Sequence, residues 1–155
     1  MAINTLTRWA SFTIAAGTAL IIGNSHAISD SGGDYRKFEF SADKPYFLQQ
    51  GKVDFGTYNG FRRYHSECHV CHGPAGLGSS YAPALMKSME QMTFPQFVDV
   101  VVRGRQGRDN FVMPGFADNM NVLPYLPDLF AYLKARADGV IPGATRPDKF
   151  PKVTQ

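Results

Sequence analysis

Cysteine is scarce in this chain: 155 residues hold two, Cys68 and Cys71, three positions apart. Two thiols cannot build the multi-bridge framework on which small secreted folds depend. Long apolar runs are missing too. The most hydrophobic stretch, Phe12 to Ile22, falls short of the ~20 residues that a comfortable membrane span needs. Net charge is small, +3 at pH 7, which excludes the strongly basic surface of a nucleic-acid binder. There is no internal repeat, so a solenoid is excluded as well. The length leaves room for one domain and its tails.

Both cysteines fall in Cys68-His69-Val70-Cys71-His72, and Cys-x-x-Cys-His is the attachment signature of a c-type heme. The spacing has a physical reason. On one helical turn the two thiols can add across the two vinyl groups of the porphyrin, and the next residue then aims an imidazole at the iron. A redox Cys-x-x-Cys would want a βαβ context. A structural zinc site would want further ligands, and the neighbouring His65 and His69 lie on the wrong faces to supply them. A colourless thiol oxidoreductase stays as the remote rival. With both thiols bonded to heme, no disulfide is possible.

The N-terminus reads as an export signal. Arg8 supplies a positive segment, Phe12 to Ile22 a short apolar core, and Ser25-His26-Ala27 the small residues of a cleavage site. Residues 1–27 are therefore expected to be removed, with an uncleaved anchor as the alternative. Heme attachment of this type takes place outside the bacterial cytoplasmic membrane, so the expected location is the periplasm. Loss of Arg8 lowers the charge to +2. The remaining basic residues cluster: Arg62, Arg63, Lys87, Arg103, Arg105 and Arg108 lie around the motif and the second ligand proposed below. They are either a solvated surface or a rim that steers an acidic partner.

Residues 28–50, with Tyr35, Phe38, Phe40, Tyr46 and Phe47, are too aromatic for a free linker and are expected to form an irregular arm around the domain. A first helix should run from about Phe55 into the motif. Gly60 and Tyr64 precede Cys68 by eight and four residues and share its face, and glycine there would let another helix come close. Arg62 and Arg63 are expected to face solvent. After His72, Gly73-Pro74-Ala75-Gly76-Leu77-Gly78 is a loop able to curl around a flat ligand. An axial histidine needs an acceptor on its other nitrogen. The Pro83 carbonyl is the candidate, a plain turn proline the alternative.

Thr93 and Gln96 form a capping box, with Pro95 in the first turn and Phe94, Phe97, Val98, Val101 and Val102 at helical spacing; Gly104 should stop that helix. The second axial ligand is expected in Phe111-Val112-Met113-Pro114-Gly115-Phe116. Of six methionines, Met1 is in the signal, Met86, Met89 and Met92 are in a short helix too near His72, and Met120 lacks a rigid flank. Met113 is preferred, being held by Pro114 and shielded by Phe111 and Phe116. Its thioether would favour reduced iron and raise the potential; the structural alternative is a core methionine in an aromatic loop. A last helix should start at Pro127 and end before Gly139, with Leu129, Tyr132, Leu133 and Arg136 on one stripe crossing the Gly60 and Tyr64 face. Residues 140–155 are expected to be a loosely held tail.

Gly60, Tyr64, Cys68-x-x-Cys71-His72, Pro83, Met113-Pro114 and Asp128-Leu129-Phe130-Ala131-Tyr132-Leu133-Lys134, in this order, resemble the class I c-type cytochromes. The resemblance implies a small all-α fold over residues 51–139 with crossed terminal helices. It also implies one covalent heme c on Cys68 and Cys71, His72 and Met113 as axial ligands, and an exposed heme edge. Arg103 and Arg105 would then contact a heme propionate or the partner. Within that family, residues 51–60, 65–74, 78–85 and 132–139 look like cytochrome cL. That narrower resemblance implies an electron carrier, not an enzyme. It would take single electrons from a periplasmic quinoprotein methanol or alcohol dehydrogenase of calcium or lanthanide type, and pass them to a downstream cytochrome or oxidase. The rivals are a general carrier for another oxidoreductase and a heme enzyme or gas sensor with an open iron position.

Overall fold

A computed structural model of the chain describes residues 41–107 and 111–151. The expected signal at 1–27, the arm residues Tyr35, Phe38 and Phe40, Arg108, and residues 152–155 lie outside the described residues. Among the described residues five α-helices carry the fold, and each strand is two residues long. Among the described residues no helix is long and apolar enough to cross a membrane.

The first helix, α1 (Phe55–Glu67), starts where Asp54 caps it. One Asp54 carboxylate oxygen accepts from the Thr57 amide at 2.9 Å. The other accepts from the Thr57 hydroxyl at 2.6 Å and from the Phe47 amide at 2.9 Å. The cap thus satisfies the helix's open donors and ties down the arm. After Cys68 one further turn, α2 (His69–His72), completes the heme motif, and Gly73 at φ 77° ends it.

The last helix, α5 (Leu126–Ala137), crosses α1 at Gly60, as expected. A Cβ on Gly60 would lie 1.9 Å from the Asp128 carbonyl oxygen and 2.9 Å from the Tyr132 Cβ, so the two backbones meet where only glycine fits. Beside it Asn59 donates to the Asp128 carboxylate at 2.7 Å, and the Tyr64 and Tyr132 rings lie 5.5 Å apart. α5 is buried on nearly every side, residues 128 through 136 all being inaccessible, because two more helices cover it. From α3 (Met86–Gln91), Met89 enters the core. From α4 (Phe94–Arg103), Phe94 and Phe97 each pack at 5.4 Å on Phe130. α4 has the expected capping box, Pro95 in its first turn, and Gly104 at φ 75° as its stop.

Two expectations are corrected. Residues 140–151 are docked. Ile141 is buried, and β5 (Asp148–Lys149) runs parallel to β2 (Lys52–Val53), which pairs in turn with β1 (Leu48–Gln49). The Phe150 amide donates to the Val53 carbonyl, and the Phe150 ring meets Phe47 at 5.9 Å. The Arg146 guanidinium lies over the Tyr58 ring and bonds its hydroxyl. The aromatic side of α1 and of the arm needs a cover, and averaged tail composition does not show it. The second correction is Arg63. It does not face solvent freely: its guanidinium lies 3.7 Å over the Tyr125 ring and donates to Asn121 at 3.3 Å.

Candidate heme site

The motif is assembled by the helix itself. The Cys68 amide donates to the Tyr64 carbonyl at 2.9 Å, and the His72 amide to the Cys68 carbonyl at 3.0 Å. Cys68 and Cys71 therefore sit one turn apart, neither in a disulfide, Cys68 half-buried and Cys71 exposed. Burial, then the charges of Glu67 and Cys71, push the Cys68 thiol up to about 12.

His72 is buried, and its Nδ1 lies 3.0 Å from the Pro83 carbonyl oxygen. A carbonyl can only accept, so Nδ1 carries the proton and Nε2 keeps its lone pair for a metal. The loop between the two is tied at several points. The Gly78 amide donates to the His72 carbonyl at 2.8 Å and the Leu85 amide to the Gly76 carbonyl at 2.8 Å, while the Ser79 hydroxyl donates to the Cys71 carbonyl. The Tyr64 hydroxyl donates to the Gly73 carbonyl at 2.5 Å. Burial is the main reason its phenol is held above the ordinary range, hence neutral and able to donate. Gly78, at φ 85°, lies where a Cβ would be 2.7 Å from the Ala84 amide nitrogen.

Met113 sits on β4 (Val112–Met113), antiparallel to β3 (Arg105–Gln106), with Arg105 opposite Met113. This ribbon is strapped to the end of α4: the Phe116 amide donates to the Val101 carbonyl at 3.0 Å, and a Cβ on Gly104 would meet the Met113 carbonyl oxygen at 2.4 Å. Met113 is half-buried against the hydrophobic core, as is Cys68. Met120 is 70% exposed, and Met89 is a core residue. Tyr81, beyond the His72 loop, meets Phe111, before Met113, edge-on at 6.5 Å, so the His72 loop and the Met113 ribbon close on one another. Leu77, Tyr81, Phe111 and Val112 all expose large apolar surface here.

A heme fits these residues. The imidazole is oriented with one nitrogen free, two thiols share a turn beside it, and a half-buried thioether stands on the ribbon next to Phe111, whose ring meets Tyr81. Of the two arginines expected near the cofactor, Arg103 is exposed and paired with Asp99 at 2.8 Å, while Arg105 is exposed on β3.

Three contributors had no role in the sequence reading: the Tyr64 hydroxyl, Ser79, and Arg136, whose guanidinium donates to the Ala75 and Ile141 carbonyls. Only Arg136 carried a signal, a charged residue on the apolar stripe of α5.

No protein-family model matches the chain. It is 41% identical over 138 residues to cytochrome c-553I of Paracoccus denitrificans, a region taking up 84% of this chain and 61% of that protein's length. It is also 41% identical over 91 residues to cytochrome c-555 of Methylococcus capsulatus, across 58% of this chain and 70% of that protein. The crystal structure of the c-type cytochrome XoxG from Methylobacterium extorquens AM1 superposes with a TM-score of 0.62 at 38% identity, covering 81% of this chain and 91% of the other. Motif, crossed helices and relatives agree: the chain belongs to the class I c-type cytochromes, heme c proteins that transfer electrons rather than turn over a substrate.

Proposed function

We propose that the chain is a periplasmic cytochrome with one heme c, covalently held by Cys68 and Cys71 and ligated by His72 and Met113. It takes single electrons from a pyrroloquinoline quinone methanol or alcohol dehydrogenase and passes them to a downstream cytochrome or oxidase. The observation that carries the heme chemistry is the His72 Nδ1 to Pro83 carbonyl bond of 3.0 Å, which fixes the tautomer needed for ligation through Nε2. The choice of donor is supported by the cytochrome cL-like stretches at residues 51–60, 65–74, 78–85 and 132–139.

When bound, the heme supplies a one-electron Fe(III)/Fe(II) couple. The chain's own work is positional. Pro83 and the tied loop hold the imidazole in one orientation, the ribbon against α4 holds the thioether, and the half-buried Phe116 covers that ribbon on its core side. Held this way, both donors keep their places when the charge changes by one, so few atoms move during transfer. The apolar surface of Leu77, Tyr81, Phe111 and Val112 is the side offered to a partner. A two-electron alcohol oxidation would use two such cytochromes in succession.

The test is reduction of the purified, periplasmically expressed protein by a reduced quinoprotein alcohol dehydrogenase, read at the c-type α-band. The oxidised protein should also show a weak far-red charge-transfer band that Met113→Ala abolishes, and the reduced protein should resist carbon monoxide. Rapid carbon monoxide uptake, or a spectrum indifferent to Met113, refutes the ligand set. A c-type spectrum without reduction by the dehydrogenase refutes the donor alone.

A further inference from the structure

Arg136 is only 8% exposed, and backbone carbonyls alone receive its hydrogen bonds. Nε and Nη2 lie 3.3 and 3.2 Å from the Ala75 carbonyl oxygen, and Nη1 donates to the Ile141 carbonyl. Among the described residues no carboxylate forms an ion pair with it. The acids nearest in sequence are engaged elsewhere, Asp138 with the Tyr46 hydroxyl at 2.5 Å and Asp128 with Asn59. A guanidinium stays protonated in any protein environment. α5 therefore holds a permanent positive charge in the interior, solvated by carbonyl dipoles and paired with no carboxylate among the described residues. That arrangement is unfavourable for stability compared with an apolar residue of the same shape.

The charge bears on the turn that carries the proximal ligand. Ala75 follows His72 by three residues. Around them the Gly76 amide closes on the Gly73 carbonyl at 3.2 Å, and the Gly78 amide on the His72 carbonyl. The Tyr64 hydroxyl is bonded inside the same turn. Hydrogen bonds thus tie the turn that joins the guanidinium's acceptor to the imidazole.

We propose that Arg136 is a positioning residue that also sets the reduction potential: its buried charge behind the His72 turn, paired with no carboxylate among the described residues, favours the ferrous over the ferric state. The inference rests on the reading that His72 ligates the iron of a heme held by Cys68 and Cys71. For a separation on the order of 12 Å between the guanidinium and a metal held by His72, the Coulomb term is still appreciable. At an effective dielectric of about 20, a unit charge at that range changes the ferric-to-ferrous ratio about tenfold. For a one-electron couple that is about 59 mV.

The experiment is a mediated redox titration of the purified holoprotein with Arg136→Gln and Arg136→Lys beside the parent, and thermal unfolding of each. Arg136→Gln should raise the ferric-to-ferrous ratio about tenfold at the parent's midpoint potential. Arg136→Lys, which keeps the charge but loses the fork, should stay within twofold of the parent even where its melting temperature falls. A Gln variant within twofold of the parent overturns the proposal, as does a Lys variant that falls as far as Gln. Should Arg136→Gln not accumulate as holoprotein, Arg136→Lys at pH 7 and pH 10 decides. Loss of the ammonium charge must lower its potential beyond any change in the parent, and equal pH dependence overturns the assignment. A parent without c-type bands would instead refute the heme reading, which the potential of a c-type parent leaves untouched.

Discussion

Gly60→Ala tests the crossing of α1 and α5 with the smallest possible perturbation, one methyl group. The new carbon would lie 1.9 Å from the Asp128 carbonyl oxygen, 2.5 Å from its carbon and 2.9 Å from the Tyr132 Cβ. Two of these obstacles are backbone atoms, so no rotamer change relieves them. Ordinary contact at about 3.4 Å requires α5 to retreat by roughly 1.5 Å at the crossing. The Asn59–Asp128 bond, 2.7 Å in the native packing, would then open beyond hydrogen-bond range. Overpacking of a dense interior costs about 1–3 kcal/mol. A lost buried hydrogen bond to a carboxylate costs about 1.5–3 kcal/mol. Alanine's better helix propensity returns about 1 kcal/mol. The net loss is therefore about 3 kcal/mol, a fall in Tm of roughly 12–24 °C for a domain of this size. Thermal unfolding by far-ultraviolet circular dichroism measures it, with Arg62→Ala, on the exposed side of α1, as a control expected within about 0.5 kcal/mol of the parent. A Gly60→Ala protein within 3 °C of the parent would refute the close-contact argument.

Three further outcomes are expected. The Tyr132 hydroxyl is buried and has no hydrogen-bond partner among the described residues, and burial pushes its phenol up to about 12 from 10.0. The neutral form is favoured by folding, so that stabilisation is complete below pH 10 and is lost as pH rises from 10 towards 12. Tyr132→Phe should melt at or slightly above the parent's temperature at pH 7 and show a flatter decline above pH 10; superimposable alkaline profiles would count against it. Ending the chain at Thr145 removes β5, the Phe47–Phe150 contact and the Arg146 cover of Tyr58, and should cost about 1–3 kcal/mol, read as a lower Tm and faster proteolysis near Phe47; an unchanged Tm would show the tail to be loosely held after all. Because Asp99 already pairs with Arg103, Arg105→Glu should weaken association with the dehydrogenase more than Arg103→Glu. The difference should fade by about 0.5 M salt, where screening shortens to a few ångströms. Identical salt slopes would make both residues plain surface.

The site was the most legible part of the chain because its chemistry is local. Cys68, Cys71 and His72 fall within five residues, where helical geometry alone decides their relative placement. Pro83 was legible for a different reason: a ligating histidine needs an acceptor on its other nitrogen, and Ala82-Pro83-Ala84-Leu85 offers a rigid segment with a free carbonyl, which His72 Nδ1 meets at 3.0 Å. The helices of α1, α4 and α5 followed from caps, glycines and apolar spacing. Arg63 and the tail were misjudged because what covers an exposed-looking aromatic residue depends on which distant segment returns to it. Tyr125 lies far along the chain from Arg63, and Arg146 farther still from Tyr58.

By itself the sequence determined the c-type cytochrome family, the helical content and the glycine at which two helices must touch, since each rests on residues within a few positions or on a single steric requirement. Only the tertiary structure decided that Lys134 and Arg136 are interior cations. Lys134 is capped by the Met89 and Glu90 carbonyls at the end of α3, and Arg136 is bonded to the His72 turn. The physical reason is the all-round burial of α5: a helix's polar face is known only when all the elements that pack on it are known.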